Sequence, residues 1–301
     1  MTEKNEIQPI DAKEGYNIDK DSNCIRCLDH GFVRLVDVMG DDQAIVQSAR
    51  VSYGAGTKNV RADRGLIHYL MQHRHTTPFE MVEFKFHCKM PVFVARQWIR
   101  HRTANVNEVS GRYSVMEETF WAPTLEDLRK QSATNRQGST GQHLEGATAE
   151  NIVREFSTEQ KRLYKQYETY LAAGVAREIA RANLPLSLYT EWYWKIDLHN
   201  LLHFLSLRMD THAQKEIRVF AEAMATFVKK SCPIAWESFE EHVLGSAQFS
   251  RQEMEAVSAV LQKQNVWEAL SSARRKTLEA EEATPVRIER ELAELKRKLK
   301  L

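Results

Sequence analysis

Met81-Val-Glu-Phe-Lys-Phe-His-Cys-Lys-Met90 runs straight into Pro91-Val-Phe-Val-Ala-Arg-Gln-Trp-Ile-Arg100, and the change of period between the two halves sets the fold class. In the first half Val82, Phe84, Phe86, Cys88 and Met90 share one parity, while Glu83, Lys85, His87 and Lys89 share the other. This is the pattern of a strand with one face on a core. Proline is favoured at the first helical position, so Pro91 opens a helix that puts Val94 and Trp98 on one face, with Gln97 and Arg100 close by.

Toward the N-terminus, Phe32, Arg34, Val36 and Val38 alternate as a second strand, with order beginning near Gly31. Residues 42–50 and 63–73 carry helical spacing (Leu66, Ile67, Leu70, Met71), and His73-Arg-His-Thr-Thr-Pro-Phe-Glu80 breaks it as a loop. Toward the C-terminus, Phe156, Leu163, Tyr167, Tyr170 and Leu171 mark a long amphipathic helix closed by Gly174, and a short helix stops before Pro185. Leu186, Leu188, Thr190, Trp192, Trp194 and Ile196 alternate as a third strand. Asp197 then caps a helix, and a further helix over roughly 213–230 buries Ile217, Phe220, Met224 and Phe227.

Strands interspersed with helices, without regular β-α-β alternation, predict an α+β fold: a mixed or antiparallel sheet flanked by helices. The expected organisation is a flexible N-terminal arm over 1–30, one domain over 31–245 and a charged helical extension over 246–301. Residues 129–148 are polar and Gly/Ser/Thr-rich and read as a loop insertion. In the extension, Ile288, Leu292, Leu295 and Leu299 fall at near-heptad spacing, which suits a packing or oligomer helix and names no ligand.

Charge excludes some partners. Lys plus Arg (42) nearly equals Asp plus Glu (41), so no whole-molecule field holds the chain on nucleic acid or an anionic membrane, and any anion site must be local. No 18-residue apolar run occurs and the first residues lack an apolar signal core, so the expected location is the cytoplasm. Four cysteines are too few for a disulfide scaffold, and Cys24-x-x-Cys27 has no second pair to make a zinc site.

The densest polar cluster follows the Pro91 helix: Gln97-Trp-Ile-Arg-His-Arg-Thr-Ala-Asn-Val-Asn-Glu-Val-Ser-Gly-Arg-Tyr113. Guanidinium forks match phosphate oxygens, Gly111 permits close backbone approach, and Ser110 and Asn107 add neutral hydrogen bonds. The same residues would also serve as a solvated basic turn with Glu108 as counter-ion, and spacing alone does not choose. Two other readings stay open. His199 and His203, with His212 and His101, could ligate a metal, although no HExxH glutamate is present. Arg96 to Arg112, with Trp98, Tyr113 and the basic tail, could bind RNA.

Arg100-His101-Arg102, followed by Ser110 with Gln97, Asn107, Glu108, Gly111, Arg112 and Tyr113 around it, resembles the signature of the flavin-dependent thymidylate synthases. The resemblance runs from about Gly31 to Cys232 and includes Arg50-Val-Ser-Tyr53, His75-Thr-Thr-Pro-Phe-Glu80, Ala176-Arg-Glu-Ile-Ala-Arg181 and Leu207-Arg-Met-Asp-Thr-His-Ala-Gln214. It implies a methyltransferase that makes dTMP from dUMP, with FAD, NADPH and 5,10-methylenetetrahydrofolate, in a homotetramer with composite sites. It also implies neither a metal nor a nucleic-acid or membrane partner.

The resemblance assigns FAD contacts to Ser52, His75, Thr77, Arg100, His101, Arg102, Glu108, Asp197, Leu198, His199 and His203. It assigns dUMP contacts to Gln97, Trp98, Ile99, Arg100, Glu108, Val109, Ser110, Gly111, Arg112, Arg181 and Arg208, with Arg208 as the catalytic residue that stabilises charge on the uracil. Cys88 on a strand's apolar face and Cys232 before a proline do not look like nucleophiles, which favours a route without a thiol. Gly54-Ala-Gly56 is no GxGxxG, so FAD is expected on side chains and interfaces and not on a Rossmann turn.

Overall fold

The computed structural model describes residues 23–51, 60–133, 138–264, 266–281 and 283–301. These divide into two compact units, one up to Leu244 and one from Gly245 to Leu301.

In the first unit the chain forms β1 (Cys24–Cys27), β2 (Gly31–Met39), α1 (Asp42–Val51) and α2 (Val60–Gln72), then a 3-10 turn at Thr77–Met81, β3 (Glu83–Pro91) and α3 (Val92–Trp98). It continues with β4 (Asn105–Glu108), β5 (Arg129–Gln131), β6 (Ser139–His143), α4 (Gly146–Ala172), α5 (Arg177–Ala180), β7 (Tyr189–Asp197), α6 (Leu198–Arg208), α7 (Lys215–Ser231) and α8 (Pro233–Phe239). One antiparallel sheet has the order β1-β2-β3-β7-β4, with helices packed on it, so the fold is α+β.

Alternation in β3 and β7 builds the core. Phe84 pairs with Ile196, Phe86 with Trp194 and Cys88 with Trp192, so six consecutive same-face side chains become three buried cross-strand pairs. Trp98 of α3, Phe204 of α6, and Phe220 and Phe227 of α7 close over them. Trp98 meets Trp192 and Trp194 edge-on at 5.3 and 5.2 Å and stacks on Phe204 at 5.2 Å.

The opposite face differs from its sequence reading. His87, expected on the polar side, is buried: its Nε2 lies 2.5 Å from Glu191, Arg34 approaches its Nδ1 at 3.4 Å, and Tyr193 stacks on the ring at 4.7 Å. A central strand has neighbours on both sides, and these supply charge and an aromatic plane that cover a polar residue in mid-sheet. Burial alone would raise the Glu191 carboxyl, but the bond and charge from His87 outweigh it and hold Glu191 below the usual carboxylate range.

Three boundaries are corrected. Order was expected near Gly31, yet Cys24–Cys27 already pairs with β2 in register, Cys24 opposite Arg34 and Cys27 opposite Gly31; residues 1–22 of the expected arm lie outside the described residues. The expected loop at 129–148 contains the β5–β6 ladder and the start of α4, because polar strands can pair with each other without a core face to reveal them. The third strand begins at Tyr189, not Leu186: the carbonyls of Leu186 and Leu188 instead accept the amides of Phe93 and Val92, satisfying the free N–H groups of the first turn of α3.

The second unit consists of α9 (Arg251–Gln264), α10 (Trp267–Ala280) and α11 (Pro285–Lys298). Thr284 caps α11 by accepting from the Arg287 amide, with Pro285 in the first turn. Leu278, Ile288 and Leu292 form its core, so two of the near-heptad residues pack within the unit itself.

Candidate active site

The basic cluster is displayed by the way α3 ends. The Ile99 and His101 amides bond back to the carbonyls of Ala95 and Trp98, both at 2.9 Å, so the helix terminates while Trp98 stays locked in the core. Arg100 and Arg102 are exposed, and His101 is half-buried against Phe204 (5.6 Å), His203 (5.7 Å) and Trp194 (6.3 Å). Burial, reinforced by the like charges of His203 and Arg208, lowers the His101 pKa and favours a neutral imidazole.

Facing this loop is α6. Asp197 caps it, accepting from the Asn200 amide at 2.9 Å, which places His199 and His203 on successive turns and Arg208 in the last. The Arg208 guanidinium is half-buried, donates from Nη2 to the Gln97 carbonyl at 3.4 Å, and has a buried Nε that finds no acceptor among the described residues. Burial lowers its pKa. A buried, unpaired N–H costs free energy unless an acceptor arrives, so this atom marks a place for an acceptor group. The Gln97 side-chain amide meets that of Gln214 at the entry to α7.

Edge strand β4 carries the rest. Thr190 donates to Glu108 at 2.6 Å, and the Val109 amide extends the pairing to the Glu191 carbonyl at 2.8 Å. The chain then turns: Ser110 accepts the amides of Tyr113 and Ser114 through its carbonyl, both at 3.0 Å, and that of Arg112 through Oγ at 3.3 Å. A Cβ on Gly111 would sit 2.9 Å from Met116 Sδ and 3.0 Å from Arg181 Cδ, so a larger residue here would displace these two side chains. Arg177 bonds the Tyr113 carbonyl at 3.0 Å and Arg112 pairs with Glu178 at 3.3 Å, which ties the turn to α5.

The structure thus gathers Gln97, His101, His203 and Arg208 in one group and Ser110, Gly111, Arg112 and Arg181 in another, joined through β4. Ile99 is half-buried between α3 and Arg100. His75 and Thr77 lie before and within the 3-10 turn, which packs against α6, with the His75 ring 5.8 Å from Tyr69 and 6.3 Å from His73. Ser52 lies outside the described residues. Trp98 and Leu198, also expected among the ligand contacts, are 0% exposed in this chain and anchor the core at helix ends. Sequence reasoning missed Gln214, Arg177, Glu178 and Thr190. Arg177, Glu178 and Gln214 stand inside the stretches quoted for the resemblance and Thr190 in the third strand, but none was given a site role, which shows only through contacts with distant elements.

Three of the four thiols are poor nucleophiles, and Cys24 is half-buried in β1. Cys88 and Cys232 are fully buried and burial raises both pKa values, while burial and the neighbouring Cys24 push Cys27 up to about 12. Among the described residues no three His, Cys, Asp or Glu side chains converge as metal ligands. The donor set instead suits a phosphate-bearing cofactor such as FAD: exposed Arg100 and Arg102, imidazoles at His101, His199 and His203, and the start of α6.

A family model described as "Thymidylate synthase complementing protein" matches residues 34–234. Among curated relatives, a flavin-dependent thymidylate synthase of Thermus thermophilus is 57% identical over 248 residues, covering 82% of this chain and 90% of the relative. One of Wolbachia pipientis wMel is 55% identical over 241 residues, covering 80% and 84%. Among solved structures, a UMP/dUMP methylase, PolB, from Streptomyces cacaoi bound with 5-Br dUMP aligns with a TM-score of 0.65 at 33% identity, covering 72% of this chain and 97% of that one.

Proposed function

The chain belongs to the flavin-dependent thymidylate synthases, and from that premise we propose that it methylates dUMP at C5 to give dTMP, with 5,10-methylenetetrahydrofolate as carbon donor and NADPH as reductant of FAD. The observation that carries this reading at the level of chemistry is Arg208: a half-buried guanidinium beside Gln97 with a buried N–H that has no acceptor among the described residues. Uracil has to become electron-rich at C5 before it accepts a carbon there. A cation held where the ring's negative charge develops favours that state, and low solvent access strengthens the effect. Arg208 is assigned this role, and the burial of Cys88, Cys232 and Cys27 supports a route without a thiolate adding to the ring.

Gln97, Ile99, Arg100, Glu108, Val109, Ser110, Gly111, Arg112 and Arg181 are assigned to dUMP. The Ser110–Arg112 turn and its arginines take the phosphate, where bidentate guanidinium contacts are strongest. His75, Thr77, Arg100, His101, Arg102, Glu108, Asp197, His199 and His203 are assigned to FAD, which when bound supplies the hydride. A neutral His101 donates or accepts one hydrogen bond without adding charge beside Arg208.

Arg100, Arg102, Val109 and Arg112 are exposed. This favours sites completed by neighbouring subunits in a homotetramer. Among the described residues no helix is long and apolar enough to cross a membrane; a cytoplasmic location is part of the proposal. An anaerobic absorption spectrum of the FAD-reconstituted protein, before and after NADPH and with or without dUMP, tests the reading. Bound flavin that bleaches, followed by folate-dependent dTMP formation, is the expected result; a folded protein that takes up no flavin would overturn it.

A further inference from the structure

We propose that Tyr164 and Tyr167 of α4 are positioning residues for the Ser110–Arg112 turn and for Arg181, acting through Met116. The proposal rests on the reading of that turn as the dUMP phosphate site. The two hydroxyls lie one helical turn apart and hold both backbone polar groups of a single residue: Tyr164 donates to the Met116 carbonyl at 2.7 Å, and Tyr167 accepts the Met116 amide at 3.2 Å. Both rings are buried, 8% and 2% exposed, and the two hydrogen bonds are partly buried.

Met116 carries this constraint to the site. Its Sδ and Cγ fill the space beside Gly111, at 2.9 and 3.2 Å from where a Cβ would be, and Arg181 Cδ shares that space at 3.0 Å. The tyrosines also belong to a small apolar cluster containing Ala180, with Leu184 and Phe120 against it, and Ala180 directly precedes Arg181. One face of α4 therefore sets the turn on one side and the root of Arg181 on the other. The remaining ties, Arg112 to Glu178 and Arg177 to Tyr113, are exposed. Exposed pairs fix geometry weakly, and the Arg112 pair has to yield when Arg112 takes a phosphate. The partly buried hydroxyl clamp is the contact that can remain closed throughout binding.

Tyrosine-to-phenylalanine changes keep the rings and remove only the clamp. In the full-length, FAD-loaded enzyme, Tyr164→Phe/Tyr167→Phe should raise the KM for dUMP by about tenfold while kcat and flavin affinity stay within about twofold, the mark of lost ground-state binding. Tyr170→Phe, in the same cluster, should leave KM unchanged. A folded double variant with wild-type KM would overturn the proposal, since packing alone would then explain the tyrosines. If the double variant does not fold, the two single variants decide: each should raise KM by about threefold, and wild-type values in both overturn the clamp. Titration of the wild-type enzyme with dUMP comes first; no binding there removes the functional reading itself, a failure distinct from that of the clamp.

Discussion

Arg208 can be separated experimentally from its surroundings, because its guanidinium reaches the Gln97 carbonyl from the last turn of a helix whose own cap, Asp197, lies at the far end. Arg208→Ala should therefore keep its fold and bind flavin yet lose about 10²–10³ in kcat for dTMP formation, the usual scale for removing one charge-stabilising donor. Cys88→Ala should stay active, with a modest stability cost from the core; a folded but inactive Cys88→Ala enzyme would contradict the thiol-free route. His101 offers a pH test. Burial lowers its pKa from 6.5, so a histidine ring titration of the flavin-free protein should give a midpoint below that value. A depressed folded-state pKa means that neutral His101 favours the fold above pH 6.5 and that this contribution fades as pH falls through the lower midpoint. A midpoint at or above 6.5 would mean that the ring is more solvated than the packing against Phe204 implies. Arg100, Arg102, Arg112, His101 and Ser110 were legible in the sequence because they crowd one short segment, whereas Arg181 and Arg208 came only with the family resemblance. The role of the tyrosines of α4 was not legible, since Tyr164 stands 48 residues from the backbone it holds and looks like any other core position of an amphipathic helix.

Elements with a strong period announced themselves, and those stabilised by pairing or by distant caps did not. The alternation of β3 and β7 and the helical stripe of α7 required no partner to be recognised, because burial writes its period directly into the residues. The ladder of β1 with β2, the β5–β6 pair and the carbonyls of Leu186 and Leu188 that receive α3 are satisfied by backbone bonds, which leave little trace in side-chain type. Asp41 and Asp42 make the same point. Asp41 accepts the Gln43 amide at 2.8 Å, a local cap that can be read from sequence, whereas Asp42 reaches across to accept the amides of Ile234 and Ala235, both at 2.9 Å, at the start of α8. Asp42→Ala leaves two largely buried donors without their acceptor and should cost about 2 kcal/mol, a fall in Tm of roughly 4–8 °C for a domain of this size. Calorimetry would read the shift. Because Asp42 touches none of the proposed ligand residues, dUMP KM should not move, and a change in KM would show that α1 and α8 set the site as well as the fold.

The whole chain combines two units with different rules of cohesion. The unit up to Leu244 has a sheet whose order, β1-β2-β3-β7-β4, joins strands far apart in sequence, and it holds every residue proposed to meet dUMP or FAD. The unit from Gly245 onward is built from neighbours in sequence: a small apolar centre at Leu278, Ile288 and Leu292, and an ion network in which Glu291 accepts from Arg274 at 2.9 Å and Arg287 at 3.0 Å. The near-heptad leucines suggested a packing or oligomer helix, and Ile288 and Leu292 are already used inside the unit. Its ends close locally too, with Ser258 donating to the Leu299 carbonyl at 2.6 Å and Gln262 to that of Lys300 at 2.7 Å. Local closure of this kind predicts separable stability. Leu292→Ala removes one of three central side chains and should cost about 2–5 kcal/mol, enough to open a unit with so small a core. Hydrogen exchange on the full-length enzyme should then show protection lost across α9 to α11 and kept in β3 and β7, with dTMP synthesis unchanged. Loss of protection in the sheet, or of activity, would mean that the extension supports the catalytic unit, and its apolar residues would then have to be explained by that support as well as by their own core.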